Sequence, residues 1–163
     1  MLPLPNKARV MAALLAELEE RVEVMKASAD TTREGATHEE SRAENDKDTR
    51  GLEASYLARG QAKRVVELQD DLAAIRHLPN RAFAPAEAIS EGALILVEVD
   101  ERHQCFLMVR RGGGVRVEVD GIEVQVLSPS SPVGRALLGC QEGDEFTLQL
   151  GGKLREYLVE RVA

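Results

Sequence analysis

The sequence predicts an α+β protein, in which an N-terminal antiparallel coiled-coil hairpin is followed by a small antiparallel β domain with one short helix. Before about residue 79 the chain is rich in Ala, Glu, Arg and Leu, which favour helix, and it holds three of the 13 glycines. Beyond that point the apolar period changes from near 3.6 to near 2, and glycine and valine multiply. These changes divide the chain into domains 1–79 and 80–163.

The first arm of the hairpin has a narrow apolar seam at spacings of three and four residues, typical of a helix that packs on a partner helix. Its members are Met11, Leu14, Leu18, Val22, Met25 and Ala29. The pattern stops near residue 33 and returns less regularly after residue 48. The expected second seam is Leu52, Tyr56, Val65, Val66, Leu72 and Ile75. Arms of about 30 residues would be about 45 Å long, which favours an extended hairpin.

The β domain is predicted from short alternating segments separated by turn residues. The expected strands are 93–99, 104–110, 115–119, 122–127, 145–150 and 154–162. Asp120-Gly121 is the strongest hairpin signal among the turns. Residues 132–138 interrupt the strand rhythm and predict the short helix, because Pro132 fits a first helical turn and Gly139 fits the position after the last.

Composition excludes several functional classes. The net charge of −7 argues against a surface that coats nucleic acid, and 3% aromatic residues without Trp argue against a stacking platform for single strands. We expect no sequence-specific DNA binding and no membrane span, since the apolar runs are far shorter than the roughly 20 residues required. Cys105 and Cys140 fit incidental or buried thiols of a cytoplasmic protein, and no histidine has a Cys or His partner at zinc-ligand spacing.

The acidic charge of the hairpin is concentrated near its predicted tip, at about residues 35–48. The window 34–53 has three basic and seven acidic residues, a net of −4, whereas the arms carry nine basic and eight acidic residues. Hard cations such as Mg²⁺ prefer carboxylate oxygens. The alternative is structural, because Thr37-x-x-Glu40 and Ser41-x-x-Glu44 both match the capping box at the start of a helix.

One long motif resembles a known family. The segment SPSSPVGRALLGCQEGDEF at residues 128–146, followed by Gly151-Gly152 and YLVERV, resembles the C-terminal domain of the bacterial Gre factors GreA and GreB. That resemblance implies an FKBP-like fold for the β domain. It also implies an N-terminal coiled coil with an acidic tip, which is the arrangement that periodicity and charge predict independently.

The resemblance implies a role in transcription elongation. It suggests that the C-terminal domain docks at the rim of the secondary channel of RNA polymerase, and that the tip acids help hold a catalytic Mg²⁺ near the 3′ end of a backtracked transcript. Ser131, Pro132 and Val133 match the family's docking segment. For Val133, packing in the domain core is the favoured alternative.

The tip matches the family motif incompletely. In the best register Glu44 and Asn45 match, whereas Ser41 stands where the family has Asp. Lys47 replaces a usual acid and Asp48 a usual Tyr. Glu44, Asp46 and Asp48 are therefore the candidate residues that assist the metal held by the polymerase.

Two functions follow from the resemblance. The first is a factor that promotes cleavage of backtracked transcripts, and the alternative is a non-cleaving regulator that occupies the channel, which the altered tip favours. In both, the chain is not itself an enzyme, has no intrinsic cofactor or stably bound metal, and shares Mg²⁺ with the polymerase. A prolyl isomerase is disfavoured because few aromatic residues could line a proline pocket, and a plain coiled-coil scaffold leaves the acidic tip unexplained.

Overall fold

The computed structural model describes the backbone of residues 2–42 and 49–163 and the side chains of residues 2–35 and 51–163. Contacts divide the chain into two compact units. The first contains Met1–Ala16 and Ala74–Ala163, and the second contains Glu17–Ala73. Within the described ranges, no helix is both long enough and apolar enough to span a bilayer. The predicted helical hairpin and mostly antiparallel sheet are both confirmed.

The hairpin consists of α1 (Lys7–Arg42) and α2 (Thr49–Arg76). At 1.5 Å per residue, these helices are about 54 and 42 Å long. The predicted seam of α1 is confirmed, since Met11, Leu14, Leu18 and Val22 are buried and the seam continues through half-buried Met25 and Ala29.

The predicted seam of α2 is partly wrong. Leu52, Tyr56 and Val66 are 55 to 62% exposed. The more buried positions recur at alternating spacings of four and three residues, the spacing that keeps one helix face against a partner. They are Ala54, Ala58, Gln61, Val65, Leu68, Leu72 and Ile75. Small and polar residues occupy the first half of this seam, so the larger apolar side chains there point to solvent instead.

The β domain is a six-stranded sheet with strand order β3-β4-β2-β1-β6-β5. The strands are β1 (Leu94–Val99), β2 (Arg102–Met108), β3 (Arg116–Val119), β4 (Ile122–Leu127), β5 (Glu145–Leu150) and β6 (Lys153–Val162). The pairing of β2 with β4 is parallel and the other four pairings are antiparallel. The sheet is therefore antiparallel apart from one internal pair.

One face of the sheet buries a compact apolar core. Alternate residues of β1 (Ile95, Val97 and Val99) lie in it with residues of β2 and β6, because side chains alternate between faces along a strand. The short helix α3 (Pro132–Leu137) contributes fully buried Leu137 to this core. Ile75 is also fully buried, and its Cδ1 lies beside Gly112 of the same unit.

Lys7 joins the start of α1 to two segments of the β-domain unit. Its Nζ donates hydrogen bonds to the carbonyl oxygens of Arg81, at 2.7 Å, and Ala163, at 3.0 Å, and lies 4.8 Å from the ring centre of Phe83. Burial, reinforced by the nearby Arg81 guanidinium, lowers the pKa of Lys7 to about 8. The folded state therefore binds the proton of Lys7 less tightly than the unfolded chain does.

This shift predicts a specific dependence of stability on pH. Between pH 8 and the ordinary lysine value of 10.5, the unfolded chain keeps a proton that the folded chain has lost. The contribution of Lys7 to the free energy of unfolding must therefore rise with pH across this window. Urea denaturation should show wild type gaining stability relative to Lys7→Met from pH 8 to 10.5. The exposed control Lys153→Met should show no such trend, and a constant difference between wild type and Lys7→Met would contradict the assignment.

Candidate functional site

The predicted tip acids Glu44, Asp46 and Asp48 lie outside the described residues. The structure does define the two helices that lead to them, since α1 ends at Arg42 and α2 begins at Thr49. The connecting segment is thus six residues long, 43–48. It contains the three predicted acids and Lys47, so the acidic sequence lies between the end of α1 and the start of α2.

The structure contradicts the capping-box interpretation of Thr37 and Ser41. Both residues lie within α1, which runs without interruption to Arg42, so neither stands at the start of a helix. Ser41 belongs to the last turn of α1, where the helix dipole favours cations over acids. Capping therefore does not account for Glu40 and Glu44.

The two helical arms outside the window 34–53 form the shaft of the hairpin. Several charges of the shaft are paired with an opposite charge on the same helix. Ion pairs three or four residues apart join Arg21 to Glu17 at 2.7 Å, Lys26 to Glu23 at 3.7 Å and Arg33 to Asp30 at 3.5 Å, and on α2 Arg64 pairs with Glu67 at 3.2 Å. Such exposed pairs contribute a few tenths of a kcal/mol each. Their main effect is to leave the shaft without a strong field.

A polar contact fixes how the two arms meet. Gln61 Nε2 donates to Ser28 Oγ at 3.2 Å, which joins the seam of α2 to α1. A polar pair within an otherwise apolar or small-residue seam disfavours slipped registers, because a shift would bury the amide without this partner. The register matters because it determines which residues reach the turn of the hairpin.

The second predicted site surrounds the start of α3. Ser131 is the N-cap of that helix, with φ −69° and ψ 157°, and its Oγ accepts a hydrogen bond from Gly134 N at 3.0 Å. The same hydroxyl donates to Ser128 O at 2.7 Å. Ser128 Oγ also accepts from Ser130 N at 3.2 Å. The serine-rich motif therefore builds a closed turn whose hydroxyls are engaged within the chain.

The three predicted docking residues have different surroundings. Pro132 is exposed, Ser131 is half-buried in its capping role, and Val133 packs partly against the apolar core. The exposed positions of this helix and its C-cap recur every three residues at Pro132, Arg135 and Leu138, and Leu138 is 49% exposed. The structure thus presents an outward face of one pyrrolidine ring, one guanidinium and one leucine. Arg135 and Leu138 belong to the segment that resembles the Gre factors, but the sequence did not predict them as docking residues. A six-residue helix has too little periodicity to reveal its exposed face.

Gly134 is required by close packing rather than by backbone conformation. A Cβ added there would lie 1.9 Å from Ser128 O and 2.9 Å from Ser131 Oγ. The helix can therefore approach the preceding turn only with glycine at this position. Gly139 has a different role, since its φ of 86° places it in the left-handed region directly after the C-cap Leu138.

Neither cysteine has the surroundings of a nucleophile. Cys105 is 4% exposed, and burial raises its pKa to about 12. Burial also raises the pKa of Cys140, with a smaller contribution from the Asp144 carboxylate, and its Sγ lies 3.2 Å from Ala136 O. A thiol attacks as the thiolate, which both environments disfavour.

Comparison with known proteins identifies the family. Residues 115–163 match the family model described as "Transcription elongation factor, GreA/GreB, C-term". Over 129 residues, the chain is 31% identical to the transcription elongation factor GreA of Saccharopolyspora erythraea, and the alignment covers 74% of each protein. The chain belongs to the GreA/GreB family of transcription elongation factors. Membership extends well beyond the C-terminal motif, because the aligned region is longer than the β domain.

Two solved structures are also similar to the chain. The GreA factor homolog 1 of Thermus thermophilus is 20% identical with a TM-score of 0.38, and the match covers 93% of this chain and 95% of that one. The corresponding Thermus aquaticus protein is 20% identical with a TM-score of 0.40, covering 93% and 94%.

Proposed function

We propose that this chain binds RNA polymerase at the rim of its secondary channel and promotes cleavage of backtracked transcripts. The observation that carries the proposal is membership of the GreA/GreB family, through the 31% identity to a GreA elongation factor. In this role the chain is not an enzyme. It changes the hydrolytic activity of the polymerase, which supplies the catalytic site.

Two parts of the chain have separate tasks in this proposal. The outward face of α3, formed by Pro132, Arg135 and Leu138, contacts the polymerase, and the closed serine turn holds that face in position. The hairpin enters the channel, where its nearly neutral shaft is suited to pass through without strong attraction or repulsion. The acids of the segment between α1 and α2 then act inside the channel.

The tip acids Glu44, Asp46 and Asp48 are proposed to assist a Mg²⁺ ion held by the polymerase. Carboxylate oxygens are the donors that this hard cation prefers, so the donor chemistry fits the ion. In a two-metal site the ions stabilise the attacking and leaving oxygens of the phosphodiester. The chain contributes oxygens and negative charge to a centre that it does not hold alone.

The experiment is a transcript-cleavage assay with a purified, backtracked elongation complex. Adding the chain with Mg²⁺ should yield shortened transcripts that the same complex extends again when nucleotides are supplied. Co-elution with the polymerase, measured in parallel, separates binding from catalysis. Binding without cleavage would favour the second candidate, and no binding would contradict both.

That second candidate is a non-cleaving regulator that occupies the same channel. The incomplete tip motif supports it, because Ser41 stands where the family has Asp and Lys47 where an acid is usual. Loss of one carboxylate should weaken the hold on a divalent ion. In this case Glu44, Asp46 and Asp48 act by charge and bulk in the channel rather than as ligands.

Ser41→Asp tests the two candidates against each other. Under the cleavage proposal, we expect faster transcript cleavage and a Mg²⁺ dependence shifted to lower concentration, since a carboxylate binds this ion better than a hydroxyl. An acid in the last turn of α1 should cost about 0.3–1 kcal/mol of stability through the helix dipole. Ser41→Asn is the uncharged control and should not accelerate cleavage. A Ser41→Asp variant that binds as wild type and cuts no better would favour the non-cleaving regulator.

A further inference from the structure

Three adjacent strands of the sheet bring together one imidazole and two carboxylates. Glu98 of β1 lies directly opposite His103 of β2 in the antiparallel register. On its other side, Glu98 is paired with Leu158 of β6, and Glu160 follows two residues later on that strand. These side chains belong to the face of β1 opposite the core, because the core side chains are those of the alternate positions Ile95, Val97 and Val99.

A β-bulge places Glu160 in this group. Leu96 pairs with Arg161, whereas the next residue, Val97, pairs with Val159, so Glu160 is an extra residue between the two partners. A bulge bends the strand locally and changes the direction of a side chain. Val159 and Val162 both remain in the core on either side of it. The irregularity therefore redirects the Glu160 carboxylate without disturbing the apolar packing.

The donor atoms of the three side chains lie close together, although not all of them are as close as the ligands of a bound metal ion. His103 Nε2 lies 3.2 Å from Glu160 Oε2 and 3.3 Å from Oε1. One ligand atom from each of Glu98, His103 and Glu160 lies within 4.8 Å of the other two. Donors around a tetrahedral ion are about 3.4 Å apart for bonds of about 2.1 Å. Small side-chain adjustments would bring all three donors to that separation.

Glu160 is unusual among the carboxylates of this surface because it is largely withdrawn from water. Its side chain is 15% exposed, and its buried Oε2 atom makes no hydrogen bond within the described part of the chain, although His103 Nε2 lies 3.2 Å away. A buried acceptor that makes no hydrogen bond is costly, and for a charged group the cost is larger. A cation placed between Glu160, His103 and Glu98 would remove that cost.

We propose that Glu98, His103 and Glu160 form a binding site for a divalent transition-metal ion of the zinc class. Imidazole nitrogen with carboxylate oxygens is a normal ligand set for Zn²⁺, whereas Mg²⁺ takes oxygen donors and seldom imidazole. Three protein ligands leave a fourth position for water or for a group from a partner. His103 is 35% exposed, which gives the ion a path to the site.

The surrounding charge favours cation binding. Glu98 lines a surface depression together with Asp100, Glu101, Glu145 and Glu156. Arg155 neutralises part of this charge by pairing with Asp100 at 3.2 Å. Acidic groups that share a concave surface raise the local concentration of cations.

Metal binding would connect β2, β1 and β6, which are three adjacent strands of the sheet. A ligand that binds the folded chain and not the unfolded chain stabilises the fold by mass action. The proposed site is far in sequence from the hairpin tip and is independent of the proposed action on transcripts.

The test is calorimetric titration of the full chain with zinc chloride, with magnesium chloride as the comparison ion. We expect one Zn²⁺ to bind per chain at the site and a rise in melting temperature, with Mg²⁺ much weaker. His103→Asn should reduce Zn²⁺ affinity by about tenfold or more, and Glu98→Gln and Glu160→Gln should each weaken it. The matched controls His77→Asn and Cys140→Ser should bind Zn²⁺ as wild type does.

Melting curves without metal establish whether each variant is folded, and the two Gln variants keep the test decisive if His103→Asn is unstable. Equal Zn²⁺ affinity in wild type and in the folded variants of Glu98, His103 and Glu160 would overturn the proposal. So would the absence of Zn²⁺ binding by wild type, which would leave the three residues as an ion-pair cluster.

Discussion

Simultaneous replacement of Glu44, Asp46 and Asp48 by Ala is expected to reduce transcript cleavage to the rate of the polymerase alone, while binding to the polymerase is retained. The reason is that these acids lie in sequence between the end of α1 and the start of α2, and carboxylates supply the oxygens and negative charge that a Mg²⁺ centre requires. The measurement is the rate of transcript shortening in a backtracked complex, with co-elution as the readout of binding.

A matched control removes the same charge from the shaft. Glu20, Glu23 and Asp30 are exposed residues of α1, and their combined replacement by Ala also makes the net charge three units more positive. The control should cleave at the wild-type rate, and each triple variant should change stability by about 1 kcal/mol or less, as is usual for surface charges. Cleavage that persists in the tip variant would place the effect of the chain elsewhere.

Turn chemistry explains why the strands could be predicted closely from sequence. At Asp120-Gly121 both residues have positive φ, 56° and 76°, which is the conformation that an Asp-Gly hairpin favours. The predicted strand 122–127 therefore begins and ends where β4 does. At Asp100-Glu101 the φ values are also positive, 48° and 65°, although Glu rarely adopts them. There the apolar runs within the flanking segments 93–99 and 104–110 determined the prediction.

Features that depend on distant residues could not be read from local pattern. The parallel pairing of β2 with β4 joins strands between which β3 intervenes in sequence. In α2, irregularly spaced large apolar residues favoured Tyr56 and Val66 for the seam, whereas packing selected Ala58 and Leu68. Small residues carry little hydrophobic signal, yet they let two helices approach closely.

The candidate sites also differ in whether their residues are close together in sequence. Ser131 and Pro132 were recognisable because their motif is contiguous, and the cap that Ser131 forms is equally local. Glu98, His103 and Glu160 were not, because the sequence signature of a zinc site is Cys and His at short spacing, which these residues lack. Their convergence depends on a strand register and a bulge that sequence periodicity does not reveal.

Gly134→Ala is expected to weaken both the β domain and its binding to polymerase. The new Cβ would lie 1.9 Å from the carbonyl oxygen of Ser128, which is backbone and cannot rotate away as a side chain would. Either α3 or the preceding turn must move, at a cost of about 1–3 kcal/mol. The movement would break the hydrogen bond from Gly134 N to Ser131 Oγ and displace the face of Pro132 and Leu138.

The size of the effect can be judged against two other variants. Ser131→Ala removes the cap without adding a clash and should cost about 1 kcal/mol. Gly113→Ala is the matched control, since its Cβ would meet the nearest atom, Ser128 Cβ, at an ordinary 3.5 Å. We expect the loss of polymerase affinity to follow the order Gly134→Ala, Ser131→Ala, Gly113→Ala, with about tenfold or more for the first, equivalent to about 1.4 kcal/mol. If Gly134→Ala lowered the melting temperature but co-eluted with polymerase as wild type does, the α3 face would not be the docking surface, because its displacement would then have no effect on binding.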